Sequence, residues 1–427
     1  MRSKRRSRPV EWVKNLLILL LALSAVYLLG RTQLSGGVME NIRELLSSGD
    51  GAGDPDESGQ TSSAVAGPAR LAIYRDGQRY GVQYDQEETD RVYSSLSTLF
   101  SEALGSAAAP EEVSERVWRA ALRSTGIYLD FLYPVPLDAL SGWLGDGQSN
   151  PALTGMARRI CLAAQESGGV ALYYINAEDG GCYVCGTTLS TSLHLEAAVA
   201  EQPPNGALFA FEVPGLADLE PYTLVTSTPQ PAVCAVSNPL QEDSGRVEEL
   251  LSTLGFRAQG ASLDPLVEGT DSLRLSNSGL VTFHTFGDSD FRFPLSENSL
   301  QGALECAQTL AEATVGAWCG AARLCLAGVE ETADGWEITF QYCLNGAFVA
   351  LPEGYDAARF VVSSGAVTDF SLYLRTYTDT GETSLVLPEE QAAAAMSAMG
   401  GQGKELTLVY RDTGAEQVCA DWSWIAG

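Results

Sequence analysis

Two histidines, His194 and His284, are all that the 427 residues contain. That shortage excludes most multi-histidine metal sites and histidine relays, which need several imidazoles in one place. Basic side chains are scarce too: 26 Lys and Arg stand against 54 Asp and Glu, a formal net charge of −28. So acidic a chain repels phosphate backbones, which argues against a nucleic-acid partner. Catalytic signatures are missing: there is no G-x-S-x-G, H-E-x-x-H, phosphate loop or G-x-G-x-x-G. Carboxylates are plentiful but scattered through loops, and abundance alone does not make a glycosidase pair. Hydrophobic residues nevertheless reach 45% against 19% charged, which excludes a disordered acidic tail. The length suits two or three domains, each with its own core.

The average charge hides an asymmetry. Residues 1–31 carry seven basic side chains (Arg2, Lys4, Arg5, Arg6, Arg8, Lys14 and Arg31) against Glu11 alone, leaving a net charge of −34 on the remainder. Between them lies an uncharged run, Leu16–Gly30, extended on its N-terminal side by Trp12 and Val13. A helix over residues 12–30 nearly spans a hydrocarbon core of roughly 30 Å. Trp12 and Tyr27 suit the interfaces, and Lys14 can snorkel to the headgroups. No small-residue cleavage pair follows the run, so the sequence predicts an uncleaved anchor over a removed signal peptide. The positive-inside rule then puts the basic tip, residues 1–11, in the cytoplasm and the acidic remainder outside. Ala22, Ser24 and Ala25 are small enough to let a partner helix approach closely, or they are ordinary anchor residues.

Residues 31–69 read as a tether, because Ser47–Pro68 is rich in Gly, Ser, Asp and Pro. An N-terminal domain follows over 70–200. Its predicted elements are a hairpin around Arg75–Gln78, helices over Asp90–Leu104 and Pro110–Leu122, and a strand Ile127–Leu132 stopping at the prolines. A short helix Leu137–Leu144 and strands Gly169–Ile175 and Cys182–Leu189 complete it. A Pro-rich connection spans 201–245, with edge strands expected at Leu208–Val213 and Tyr222–Val225. The C-terminal part, 246–427, begins at a helix Ser244–Leu254 capped by Gly255. It continues with a helix Ser299–Ala317, strands Ala322–Glu330, Gly335–Leu344, Ala357–Ser363 and Ala366–Tyr377, and a helix Pro388–Met399. A last hairpin of Lys404–Tyr410 and Glu416–Trp422 closes it. Ser278–Thr282 recurs as Ser364–Thr368, which favours a duplicated unit. Hairpins alternating with amphipathic helices predict an α+β fold of antiparallel sheets packed with helices.

Nine cysteines leave at least one unpaired within the chain. Cys182 and Cys185 form a C-x-x-C in a strand, which turns the thiols to opposite faces, whereas redox pairs of this spacing open a helix. No second pair completes a zinc site. Structural or free cysteines are the reading. His194 falls in an apparent helix over Thr191–Ala200, and His284 alternates with Phe283 and Phe286 in a strand. Neither has a nucleophile in a recognisable frame. No catalytic, cofactor-binding or metal-binding residue is assigned.

Several stretches carry a family resemblance. The start Val10-Glu-Trp-Val-Lys-Asn-Leu-Leu-Ile-Leu resembles the single anchor of the YycH/YycI regulatory proteins of Gram-positive bacteria. Gly126–Pro134, Leu254-Gly-Phe256, Tyr342–Arg375 and Leu408–Gly414 with Trp422 are similar to a divergent clostridial branch of that family. The chain departs from it in its long basic tip, Arg2–Arg8, and its acidic tether. The resemblance implies PepSY-like α+β units at the C-terminus. It also implies a non-enzymatic, membrane-anchored regulator that binds a sensor histidine kinase of a cell-envelope two-component system. A homologous regulator or a second copy of the chain is a further expected partner. The alternatives are a tethered module for a cell-wall or lipid ligand and a PepSY-type inhibitor of an exported protease.

Overall fold

The computed structural model describes residue 42 and residues 67–425, except 145–148, 201, 227, 243, 258–264, 288 and 401–402. The basic tip, the anchor with Ala22, Ser24 and Ala25, and nearly all of the tether lie outside the described residues. Among the described residues no helix is long and apolar enough to cross a membrane.

The observed fold is the mixed α+β arrangement of antiparallel sheets and helices that the alternation of elements predicts. A seven-stranded antiparallel sheet runs in the order Gln78–Val82, Arg70–Arg75, Gly126–Pro136, Met156–Ala164, Gly169–Asn176, Cys182–Ser190, Glu111–Val113. One face packs on the helix Gln86–Ser106, whose buried Val92, Leu96, Leu99, Phe100 and Ala103 recur at helical spacing. This helix begins four residues before the predicted start. Asp85 accepts the Glu88 N–H and caps an extra turn ahead of the apolar stripe. The other face is covered by Trp118 of the helix Glu115–Ala121 and by Phe209, Tyr222 and Leu224 from the Pro-rich connection.

A ten-stranded sheet forms the second layer system. Its order is Leu266–Glu268, Asp271–Leu275, Leu280–Thr285, Ala366–Tyr373, Ala358–Ser363, Gly335–Leu344, Ala347–Ala350, Glu405–Arg411, Ala420–Ile425, with Ala322–Thr332 pairing on Gly335–Leu344. All neighbours are antiparallel except Ala347–Ala350 beside Glu405–Arg411. The helix Leu300–Ala311, capped by the Ser299 hydroxyl, packs on this sheet. The two repeated segments supply strands Leu280–Thr285 and Ala366–Tyr373, which pair with each other at the sheet's centre. One buried core joins Leu71 of the first sheet and Phe100 of the helix on it to Phe283 and Phe370 of the second sheet.

Three predicted elements take another form. Residues 111–113 are a strand, not a helical turn, because Glu111–Val113 pairs with Cys182–Val184 and completes the sheet edge; the helix starts after Ser114. The strand predicted as Ala366–Tyr377 breaks at Leu374–Arg375. Thr376–Thr383 turns away into a three-stranded sheet with Ala232–Ser237 and Gln417–Val418. The last hairpin is interrupted in the same way, and Ala420–Ile425 becomes the partner of Glu405–Arg411. In the Pro-rich connection the expected edge strands shrink to Leu208–Phe209 and Leu224–Val225, which pair together.

Asn345 and Gly346 link Gly335–Leu344 to Ala347–Ala350 with both φ angles positive, +49° and +74°. A Cβ at Gly346 would meet the Ala69 carbonyl oxygen at 2.6 Å, so this turn also receives the start of the first sheet. The substitution Gly346→Ala should therefore cost about 1–3 kcal/mol. Urea denaturation should show a lower midpoint with an unchanged slope.

Candidate functional site

Six charged side chains are gathered where the first sheet meets the last strands of the chain. Strand register begins the assembly. Arg70 lies opposite Asp130, and Asp130 lies opposite Arg159, giving a cross-strand row of alternating sign. Consecutive strand residues ordinarily face opposite ways, yet Arg158 and Arg159 both reach the same carboxylate. The pairing of Met156–Ala164 is irregular at this point on both sides, between Asp130 and Val135 and between Ala157 and Ile160. Such irregularities re-aim side chains.

The shared carboxylate is Glu405, fully buried and contributed by the ten-stranded sheet. Arg70 Nη1 donates to its Oε1 at 2.6 Å, Arg158 Nη2 donates to Oε1 at 2.8 Å, and Arg159 Nη2 donates to Oε2 at 2.8 Å. Arg158 grips Asp130 bidentately at 2.7 and 2.9 Å, and Arg159 grips Glu220 at 2.7 and 3.0 Å. Arg70 also donates to the Thr407 hydroxyl, two residues beyond Glu405. Three guanidiniums thus meet three carboxylates.

Burial by itself raises the pKa of Glu405 and of Asp130, but the neighbouring arginines outweigh it, holding Glu405 well below the usual carboxylate range and lowering Asp130 as well. Glu220 keeps a raised value, because burial exceeds what Arg159 returns. Nearby, Glu389 opens the helix Glu389–Ala398 and is 5% exposed. It accepts from the Gln83 amide and the Thr226 N–H, both at 3.0 Å, and burial lifts its carboxyl to about 7.

A cleft of about 790 Å³ opens beside this junction, within the ~300–1,000 Å³ of small-molecule sites. Leu132, Tyr133, Phe348, Leu351, Val409 and Ile425 wall it, with Arg158, Arg159 and Gln341 reaching it. The arginines are already neutralised, so the cleft offers apolar contact more than charge. Leu132 sits at φ +67°, a conformation that costs a bulky residue about 1–3 kcal/mol. Its N–H donates to Asp130 Oδ1 at 2.9 Å, which ties the strained cleft wall to the ionic cluster.

The residues singled out in the sequence lie elsewhere. His194 Nδ1 accepts the Ser190 N–H at 3.1 Å and caps the turn Thr191–Leu195. His284 pairs with Asp369 on the exposed face of the ten-stranded sheet. Cys182 and Cys185 face opposite sides as their strand setting requires, Cys182 toward Trp118 and Cys185 into the main core. Among the described residues no group of three or more His, Cys, Asp or Glu is placed to hold a metal ion. The junction itself escaped sequence reasoning. Its one local signal is the doublet Arg158-Arg159 inside the apolar strand MARRICLAA.

Two helix-packed antiparallel sheets locked by a buried ionic junction define an α+β scaffold of the kind that presents surfaces and a cleft. The same architecture occurs in the crystal structure of YycH from Bacillus subtilis. The likeness has a TM-score of 0.52 at 9% sequence identity, and covers 86% of this chain and 96% of that one. At this identity the likeness is one of fold. No family model matches the chain, and no curated protein matches its sequence.

Two outcomes test the junction. Glu405→Gln leaves three buried guanidiniums short of a counter-charge and should cost about 3–5 kcal/mol by chemical denaturation. Glu220→Gln, which weakens a pair with Arg159 alone, should cost clearly less. For Glu389 the folded value near 7 exceeds the ordinary 4.5, so the folded state holds this proton more tightly. Its stabilising contribution is complete below about pH 4.5 and is lost as pH rises toward about 7, a change on the order of 3 kcal/mol. Glu389→Gln should flatten that part of the stability–pH profile, measured by urea titrations across the window.

Proposed function

We propose that the chain is a non-enzymatic, membrane-anchored extracytoplasmic regulator. In this reading it binds and modulates a sensor histidine kinase of a cell-envelope two-component system. The observation that carries the reading is the fold likeness to YycH over 86% of the chain. The basic tip and apolar run of residues 1–30 support it from the sequence, since they suit one cytoplasm-to-outside crossing. The quoted resemblances to the YycH/YycI proteins support it independently of the structure. Ala22, Ser24 and Ala25 are then the proposed helix-contact residues, and the repeated strands at the sheet centre are proposed PepSY-like units. A rigid two-sheet body on a tether suits regulation by contact: its charged centre is spent on internal pairing, which leaves surfaces for partners.

A second reading is a tethered module for a cell-wall or lipid ligand, favoured by the apolar cleft between Leu132, Phe348 and Ile425. The two readings differ in what the intact membrane yields. Photo-crosslinkers placed at Ala22, Ser24 or Ala25 should capture a histidine kinase, identified by mass spectrometry. Replacing residues 12–30 with an unrelated anchor should change kinase-dependent transcription. Capture of lipid or glycan alone, with transcription unaltered by the swap, would leave the ligand module in place of the regulator.

A further inference from the structure

We propose that Cys325 and Cys343 form a redox-active dithiol, oxidised to an intrachain disulfide by a small organic disulfide entering through the neighbouring cleft. The strands Ala322–Thr332 and Gly335–Leu344 are antiparallel, with Arg323 opposite Cys343 and Cys325 opposite Gln341. Cys325 and Cys343 are thus diagonal neighbours on one face of the hairpin. Both are buried, in an apolar cluster that also holds Leu132, Phe348 and Val409. Arg323, directly opposite Cys343, and the two thiols are close enough to act on one another electrostatically.

The pair is asymmetric. The neighbouring Cys325 thiol and the Arg323 guanidinium draw the Cys343 thiol below its ordinary range against the opposing effect of burial. Cys325 is pushed up. A low-lying thiol beside a protonated one is the division between attacking and resolving cysteines. The other buried cysteines with a resolved shift, such as Cys161, Cys234 and Cys319, are pushed up by burial. Access comes from the cleft. Leu132, Phe348 and Val409 belong both to the apolar cluster around the thiols and to the cleft wall, and Tyr133, also in that wall, packs against the cluster.

The chemistry balances as thiol–disulfide exchange. The Cys343 thiolate attacks one sulfur of the small disulfide R–S–S–R, breaking its S–S bond and releasing one thiolate. Cys325 then gives up its proton and attacks Cys343 Sγ, releasing the second thiolate. Two electrons pass from the protein to the small disulfide, and the protons of the two cysteines end on two molecules of R–SH. Oxidation also removes the Cys343 thiolate from Arg323. That guanidinium otherwise holds Asp90 and the carbonyls of Gly67 and Pro68, where the chain enters the fold. The redox state of the pair is thereby felt at the end of the tether.

The test uses the full chain carrying Cys419→Ser, since Cys419 is the exposed cysteine. Native protein is incubated with hydroxyethyl disulfide, unfolded with an alkylating agent, and mapped by mass spectrometry. The expected products are a Cys325–Cys343 linkage and unmodified thiols elsewhere. Cys325→Ser should trap the mixed disulfide on Cys343, whereas Cys343→Ser should leave Cys325 a free thiol. Tyr133→Ala, which thins the wall without touching either sulfur, should speed linkage several-fold. The proposal is overturned if both thiols survive native incubation, if linkage needs denaturant, or if Cys325 is captured as fast as Cys343 in the single variants. None of these outcomes depends on a kinase partner.

Discussion

The ionic junction between the two sheets turns on a single carboxylate. Glu405 lies at 0% exposure and receives guanidinium hydrogen bonds from Arg70, Arg158 and Arg159. Removing ions from water is so costly that buried pairs are seldom a net source of stability against an apolar core of equal volume. What they provide here is register. An apolar interface tolerates sliding, but three planar donors around one carboxylate admit one arrangement of the strands that carry them. With Asp130 and Glu220 completing the neutralisation, the junction places the cleft walls relative to one another, because Leu132 is tied to Asp130 and Val409 follows Glu405 on the same strand.

A second ionic group organises the opposite corner. Arg375 holds Asp412 bidentately, both contacts at 2.8 Å, and the Tyr377 hydroxyl donates to the same carboxylate at 2.9 Å. The chain leaves the ten-stranded sheet here and enters the three-stranded one. Strands that change sheets expose backbone groups at the bend. The Tyr342 hydroxyl meets that need by donating to the Tyr373 carbonyl and accepting the Arg375 N–H. The molecule thus carries its buried charge at junctions and corners, while aromatic and aliphatic contacts fill the layers between.

Local signals were legible where one segment settles its own conformation. The helix Leu137–Leu144 and the Gly255 helix end stand as the sequence predicts. Gly255 takes φ +69°, and the Phe256 N–H closes back on Leu251. Misreadings occur where a distant strand decides. Glu111–Val113 has helix-forming glutamates but completes a sheet edge, and nothing between Ala366 and Tyr377 announces that Thr376 joins Ala232–Ser237. The candidate site was almost illegible for the same reason. Arg70, Asp130, Glu220 and Glu405 are individually ordinary charges, and only register and two irregularities bring them together. The Arg158-Arg159 doublet shows that something unusual is buried, without naming its partner.

The order of the chain gives the junction a temporal side. Arg70 and Glu405 are 335 residues apart, and the segment between them contains every other member of the cluster. At about 5–20 residues per second, synthesis leaves Arg70 waiting roughly 20–70 s for its carboxylate. During that interval Asp130 and Glu220 are the only acidic members of the cluster present, so the first sheet is held together with surplus positive charge at its face. Arrival of Glu405 ends this, and it comes only once the strand Glu405–Arg411 has been made. The presence of that strand is therefore read out as charge neutrality at one buried point, and a chain cut short before residue 405 fails that reading however much of its first sheet is already paired.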